Sequence, residues 1–240
     1  MVCFLTSSLT KVGEDFLNPE NGFADKLHYF WNKPSRCLLI ASDPQNHSGN
    51  DEMTDAFRTV FEHSGFEIQC FDLWDNRYFD FPQERIDSYD VIILGWGHVP
   101  TQHKWFTDIN LKERLREFDK ILIGVSAGAM MAAKTVYAWP ERDGETVDPN
   151  YELFFDGLGY TDCMILPHYH GVKHRYLDGR RLVEDITCEH SIGHRFLALP
   201  DGSYVLSQYG RDTVFGEAFL VQDGVISLYC ENGAERSWNY

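Results

Sequence analysis

Lys120-Ile121-Leu122-Ile123-Gly124-Val125-Ser126-Ala127-Gly128-Ala129-Met130-Met131-Ala132-Ala133 is the stretch from which the fold is read. Its first half is an apolar, β-branched run and its second half consists of helix formers, so a buried strand passes directly into a helix. At the junction, Gly124-Val125-Ser126-Ala127-Gly128 matches the pattern G-x-S-x-G. In that pattern the turn is so tight that a side chain at either glycine would collide with the neighbouring strand or helix. The reading places the Ser126 hydroxyl outside the sheet edge and points the Ala127 amide, at the start of a helix, toward any oxyanion formed there.

Outward from this junction, short apolar runs at Val2 to Thr6, Cys37 to Ala41, Phe66 to Leu73 and Val91 to Leu94 read as further buried strands. Between them lie helical patterns. The clearest runs over 51–63, where Met53, Ala56, Phe57, Val60 and Phe61 share a face and Gly65 marks the stop; a second runs from about Gln102 to Glu117. Strands alternating with helices over the first 137 residues imply an α/β fold with a mostly parallel sheet covered on both faces, because a parallel neighbour requires a crossover that a helix usually supplies. Residues 138–162, rich in Pro, Gly, Asp and Glu, read as an extended surface loop. A short strand is expected at 163–166 and a helix at about 179–189. Closely spaced strand runs follow at 195–199, 203–208, 213–215, 218–222 and 225–230, with hairpin signals at Asp201-Gly202, Tyr209-Gly210 and Asp223-Gly224. No interdomain linker interrupts the 240 residues, so a single domain over 1–240 is expected.

Composition narrows the function classes. Hydrophobic residues at 43% and charged residues at 24% are ordinary globular usage. The formal net charge of -16 would repel nucleic acid and anionic membranes over most of the surface, so neither is an expected partner. No apolar run reaches the length of a spanning helix and no secretory leader is recognisable at the start, which reads as a cytoplasmic protein. The six cysteines, at 3, 37, 70, 163, 188 and 230, include no Cys-x-x-Cys pair and are expected to be reduced and buried.

The segment Gly124 to Met130, read Gly-Val-Ser-Ala-Gly-Ala-Met, resembles the nucleophile segment of the dipeptidase E and cyanophycinase family of serine peptidases. Two further segments match in order. Leu166-Pro167-His168-Tyr169 resembles the family's Pro-His-aromatic segment, and Leu199-Pro200-Asp201-Gly202 resembles its Leu-Pro-Glu-Gly segment. The resemblance implies the flavodoxin-like three-layer sandwich of class I glutamine amidotransferases, with Ser126, His168 and Asp201 as nucleophile, base and acid. A serine hydroxyl needs an imidazole to take its proton, and the imidazole needs an acid on its far nitrogen. Leu-Pro-Asp-Gly is also the sequence of an ordinary β-turn, and Glu141, Asp143 and Asp148 stand as reserve acids. Gly97 joins Ala127 as the second oxyanion donor. Where the family usually has Gly-Gly-Gly-Asn, this chain reads Gly95-Trp96-Gly97-His98, so Trp96 and His98 reshape that wall of the cleft.

The resemblance implies small peptide substrates, dipeptides with an N-terminal aspartate among them. An acidic substrate needs a local cation in so acidic a chain, and the basic segment 171–181 offers Lys173 and Arg175. His168-x-His170-x-x-x-His174 lacks a carboxylate at a ligand-like interval, so neither a metal nor another cofactor is expected. A second reading keeps the fold and loses the chemistry, leaving a ligand-binding or regulatory domain. The oligomeric state is not legible.

Overall fold

The computed structural model describes residues 1–238. Strands β1 (Val2–Thr6), β2 (Ser35–Ile40), β3 (Ile68–Trp74), β4 (Val91–Leu94) and β5 (Ile121–Val125) pair in parallel in the order β1-β5-β4-β2-β3. Helices α1 (Phe23–Phe30), α2 (His47–His63), α3 (Gln83–Asp87), α4 (Val99–Asp108) and α5 (Leu111–Arg114) lie between them, and α6 (Ala127–Met131) follows β5. Side chains of one strand alternate between two cores, as the pleat requires. Cys3, Leu38 and Ile92 pack on one face with α4 and α6, whereas Phe4, Leu39 and Ile93 pack on the other with α1 and α2. This is the flavodoxin-like three-layer arrangement that the family resemblance implies.

The second half of the chain is less regular. β6 (Thr135–Tyr137) and β7 (Phe154–Asp156) form an antiparallel pair, so the stretch expected to be a loop over 138–162 contains a strand. Ala138, Trp139, Phe155 and Leu158 are buried within it, and its longest surface run is 141–152. The helix expected over 102–117 breaks at Asn110, whose left-handed backbone separates α4 from α5. β8 (Met164–Leu166) leads into α7 (Tyr169–Val172), then a small hairpin of β9 (Tyr176–Leu177) and β10 (Arg180–Arg181), a π-helical turn Leu182–Thr187 and α8 (Cys188–His190). Within the helix expected at 179–189, the first residues are therefore strand and turn.

The late strands β11 (Arg195–Ala198), β12 (Tyr204–Gln208), β13 (Arg211–Phe215), β14 (Ala218–Gln222), β15 (Val225–Cys230) and β16 (Glu235–Trp238) are shared between two sheets. β12, β13 and β16 extend the central sheet antiparallel beyond β1, giving eight strands in the order β16-β13-β12-β1-β5-β4-β2-β3. β8, β11, β14 and β15 form a second, four-stranded sheet, in which β8 and β11 are parallel neighbours. Between β11 and β12 the chain crosses from the second sheet to the first, through Leu199-Pro200-Asp201-Gly202.

Candidate active site

Ser126 occupies the turn between β5 and α6 with φ 54° and ψ -114°, a conformation that a side chain rarely adopts. Its amide donates to the Thr6 carbonyl at 2.8 Å, and its own carbonyl accepts from the Ala129 and Met130 amides that begin α6. Both flanking glycines are required by close approach. A Cβ on Gly124 would lie 2.7 Å from the Gly128 carbonyl oxygen, and one on Gly128 would lie 2.2 Å from the Leu94 carbonyl oxygen. The turn is thus wedged between α6 and β4, which fixes the direction of the serine side chain.

His168 and Asp201 reach the serine from the second sheet. Leu166 and Ala198 are register partners on the parallel strands β8 and β11, so the residues that follow them emerge side by side at the same sheet edge. His168 takes a left-handed backbone at φ 58° as the residue capping α7, and its carbonyl accepts from the Gly171 and Val172 amides. The Asp201 turn is tied back to the central sheet: the buried Ser7 hydroxyl, just past β1, donates to the Leu199 carbonyl at 2.8 Å, and the Thr6 hydroxyl donates to the Ser203 carbonyl. The result is a continuous chain of contacts. Asp201 Oδ1 lies 2.7 Å from His168 Nδ1, and His168 Nε2 lies 3.0 Å from Ser126 Oγ. The site is open to solvent, with the His168 side chain 37% and the Asp201 side chain 49% exposed.

Gly97 lies just beyond β4, whose Leu94 is the register partner of Gly124 on β5, so Gly97 and Ser126 sit at adjacent carboxyl ends of parallel strands. A Cβ at Gly97 would meet the Ser42 hydroxyl at 2.0 Å. That hydroxyl holds the wall by donating to the Trp96 carbonyl. The Trp96 indole stays 42% exposed and meets Phe57 edge-on with centroids 4.7 Å apart. Ala127 is the first residue of α6, with its amide beside the serine.

His98 is engaged by the protein at both ring nitrogens. Its Nδ1 lies 2.8 Å from the Thr101 hydroxyl and its Nε2 lies 2.9 Å from Glu145 Oε1. Burial lowers the imidazole's pKa, reinforced by the Arg142 charge, against the opposing pull of Glu145. A neutral ring satisfies the arrangement when the Thr101 hydroxyl donates to Nδ1 and Nε2–H donates to Glu145. Burial raises the Glu145 carboxyl, but the amides of Arg142 and Glu141 and the His98 ring outweigh it and hold the pKa low. Sequence reasoning missed Glu145. It stands 47 positions from His98, and no local pattern links a loop glutamate to a strand-end histidine.

The basic segment is largely engaged by the protein itself. Arg175 donates to the Glu141 carbonyl at 2.5 Å, Arg180 pairs with Glu189, and Arg181 pairs with Asp185. Lys173 makes no ion pair among the described residues. Of the reserve acids, Glu141 and Asp148 belong to the 141–152 excursion, where Glu141 accompanies Glu145 and Asp148 accepts from the Asn150 amide; Asp143 is exposed beside them. The carboxylate in contact with His168 is that of Asp201. Burial pushes the Cys3 thiol up to about 12 and also raises Cys37 and Cys163 well above the ordinary thiol range, so none of these supplies a thiolate nucleophile.

A serine on a strand-to-helix elbow, with an imidazole at hydrogen-bonding distance and a carboxylate behind it, defines a serine-type hydrolase. The family model for peptidase family S51 matches residues 25–213, and the chain belongs to that family of serine peptidases. No curated protein matches the chain. Among solved structures, the fold is similar to that of a peptidase from an acI-B1 Actinobacterium, with a TM-score of 0.63 and 16% identity over 99% of this chain and 96% of that one. It is also similar to a protein assigned as peptidase E from Listeria monocytogenes EGD-e, with a TM-score of 0.53 and 15% identity over 95% and 97%. At such identities the likeness speaks for the fold alone.

Proposed function

We propose that this serine peptidase hydrolyses small peptides, dipeptides with an N-terminal aspartate in particular, through an acyl-enzyme formed on Ser126. The observation that carries the reading is the unbroken contact chain from Asp201 through His168 to Ser126. Ser126 Oγ attacks the peptide carbonyl while His168 Nε2 takes its proton, and Asp201 at Nδ1 fixes the tautomer and steadies the imidazolium. The oxyanion develops between the amides of Gly97 and Ala127. His168 then gives its proton to the leaving amine, the amine departs with the C-terminal residue, and a water activated by the same imidazole releases the acyl group from the serine. The exposed rim of Trp96 bounds the substrate on the Gly97 side. Lys173 is the cation of the basic segment without an ion pair among the described residues.

The reading is tested with a fluorophosphonate probe and a dipeptide panel assayed for free amino acid. Wild type is expected to label and to release aspartate. Ser126→Ala is expected to lose labelling and to fall by about 10^4-fold or more in kcat/KM. Labelling that persists in Ser126→Ala would overturn the assignment of the nucleophile.

A further inference from the structure

Beside Gly97 lies a cleft of about 510 Å³, within the range of roughly 300–1,000 Å³ typical of small-molecule sites. Trp96, Gly97 and His98 form one wall, α2 contributes Asn50 and Met53, and Arg142 reaches it from the 141–152 excursion. The guanidinium of Arg142 forms no hydrogen bond or ion pair among the described residues. This distinguishes it from Arg175, Arg180 and Arg181, all of which the protein satisfies internally. Its backbone is nonetheless held in place. The Arg142 amide donates to Glu145 Oε2 at 3.0 Å, and Glu145 Oε1 contacts His98, the residue after Gly97. Two bonds therefore connect this arginine to the wall that carries the proposed oxyanion donor.

The same cleft also carries Asp43 and Glu52. Among the described residues, Asp43 Oδ1 accepts from the Gln45 amide and Glu52 Oε1 from the Ser48 hydroxyl, so each carboxylate retains acceptor capacity. A purely anionic ligand would meet one favourable and two unfavourable charges here. A group bearing both signs would meet complementary ones. The first residue of an aspartyl peptide is such a group, with a carboxylate on its side chain and an ammonium on its Cα.

We propose that Arg142 is the specificity cation of this site, reading the side-chain carboxylate of the substrate's first residue within the cleft that adjoins Gly97, while Asp43 and Glu52 receive its α-ammonium. The assignment rests on Ser126 being the nucleophile and names the residues that select the acyl portion. It places selection on the excursion between β6 and β7, and not on the basic segment after His168.

The test compares wild type, Arg142→Gln, Arg142→Lys and Lys173→Gln on aspartyl-leucine and asparaginyl-leucine. Arg142→Gln is expected to lose about 30-fold in kcat/KM on the aspartyl substrate and less than about threefold on the asparaginyl one, with Arg142→Lys intermediate. Equal losses on the two substrates, or a selective loss in Lys173→Gln and none in Arg142→Gln, would overturn it. Binding of aspartyl-leucine to the Ser126→Ala protein, measured by calorimetry, separates this from the chemistry. Arg142→Gln on that background should weaken binding by a similar factor, whereas unweakened binding, or no binding before the arginine is changed, also overturns it. Fluorophosphonate labelling of wild type reports independently on whether Ser126 is activated.

Discussion

The backbone of Ser126 stores strain at the residue that carries the proposed chemistry. A non-glycine residue held at φ 54° and ψ -114° costs about 1–3 kcal/mol, and the elbow persists because the wedge of Gly128 against β4 leaves it no alternative. Alanine keeps the Cβ that causes the strain; glycine removes it. Ser126→Gly is therefore expected to unfold at a higher denaturant concentration than Ser126→Ala, by about 1–3 kcal/mol of stability, although both lack the hydroxyl. Equal midpoints for the two variants would show that the turn is unstrained.

Titration of a single carboxyl gives a second prediction, at the scale of the element that carries it. Glu141 lies on the excursion between β6 and β7. Burial pushes its pKa up to about 7 from an ordinary 4.5, and the charge of Glu145 adds to the rise, against the Trp139 hydrogen bond and the charges of Arg175 and Arg142. Between those two values the folded state holds a proton that the unfolded chain has released, so stability falls as pH rises through the window. The contribution is complete below about 4.5 and lost above about 7. Glu141→Gln removes it. The melting temperature of the variant relative to wild type is expected to increase from pH 5 to pH 7.5 and then level off; an offset independent of pH would exclude Glu141 as the source.

How legible such an element is depends on what its sequence must satisfy locally. β1, β4 and β5 are buried on both faces, so their apolar runs are continuous and their boundaries coincide with the observed strands. The elbow was legible because steric exclusion at Gly124 and Gly128 writes itself into composition. β7 was hidden: Phe154–Asp156 is a strand only because Thr135–Tyr137 lies opposite it, and its neighbourhood is dominated by turn formers. β16 was missed for the same reason, since Glu235, Arg236 and Ser237 alternate with nothing apolar before Trp238. The break at Asn110 depends on one left-handed residue that any helical pattern tolerates. Ala56, assigned to the apolar face of α2, is exposed and lines the Arg142 cleft, at the edge of the stripe that Met53, Phe57, Val60 and Phe61 bury. At the site, the proximity of residues 126, 168 and 201 follows from two sheets meeting, which no local spacing encodes.

Over the whole molecule, the formal net charge of -16 sets a field that every local interaction works against. Self-repulsion of that size is relieved by counterions, whose screening length falls from about 30 Å at 0.01 M to about 8 Å at 0.15 M salt. Raising sodium chloride across that range is expected to raise the melting temperature by several degrees, since the exposed ion pairs it weakens are worth about 1 kcal/mol or less each. A melting temperature that falls would show that those pairs outweigh the repulsion. Among the described residues no helix is long and apolar enough to cross a membrane.

The crossover through Asp201 also dictates when activity can arise. The proposed acid sits on the strand of chain that stitches the two sheets together, and its register is set by β12 clasping β1 on one side and β11 lying beside β8 on the other. A nascent polypeptide that has left the ribosome only as far as α8 already contains the serine and the histidine, yet has nothing to orient the imidazole. Synthesis must pass β12, which pairs with β1, before the proposed acid is held in place. The topology thus makes the proposed relay depend on a long-range pairing between β1 and β12.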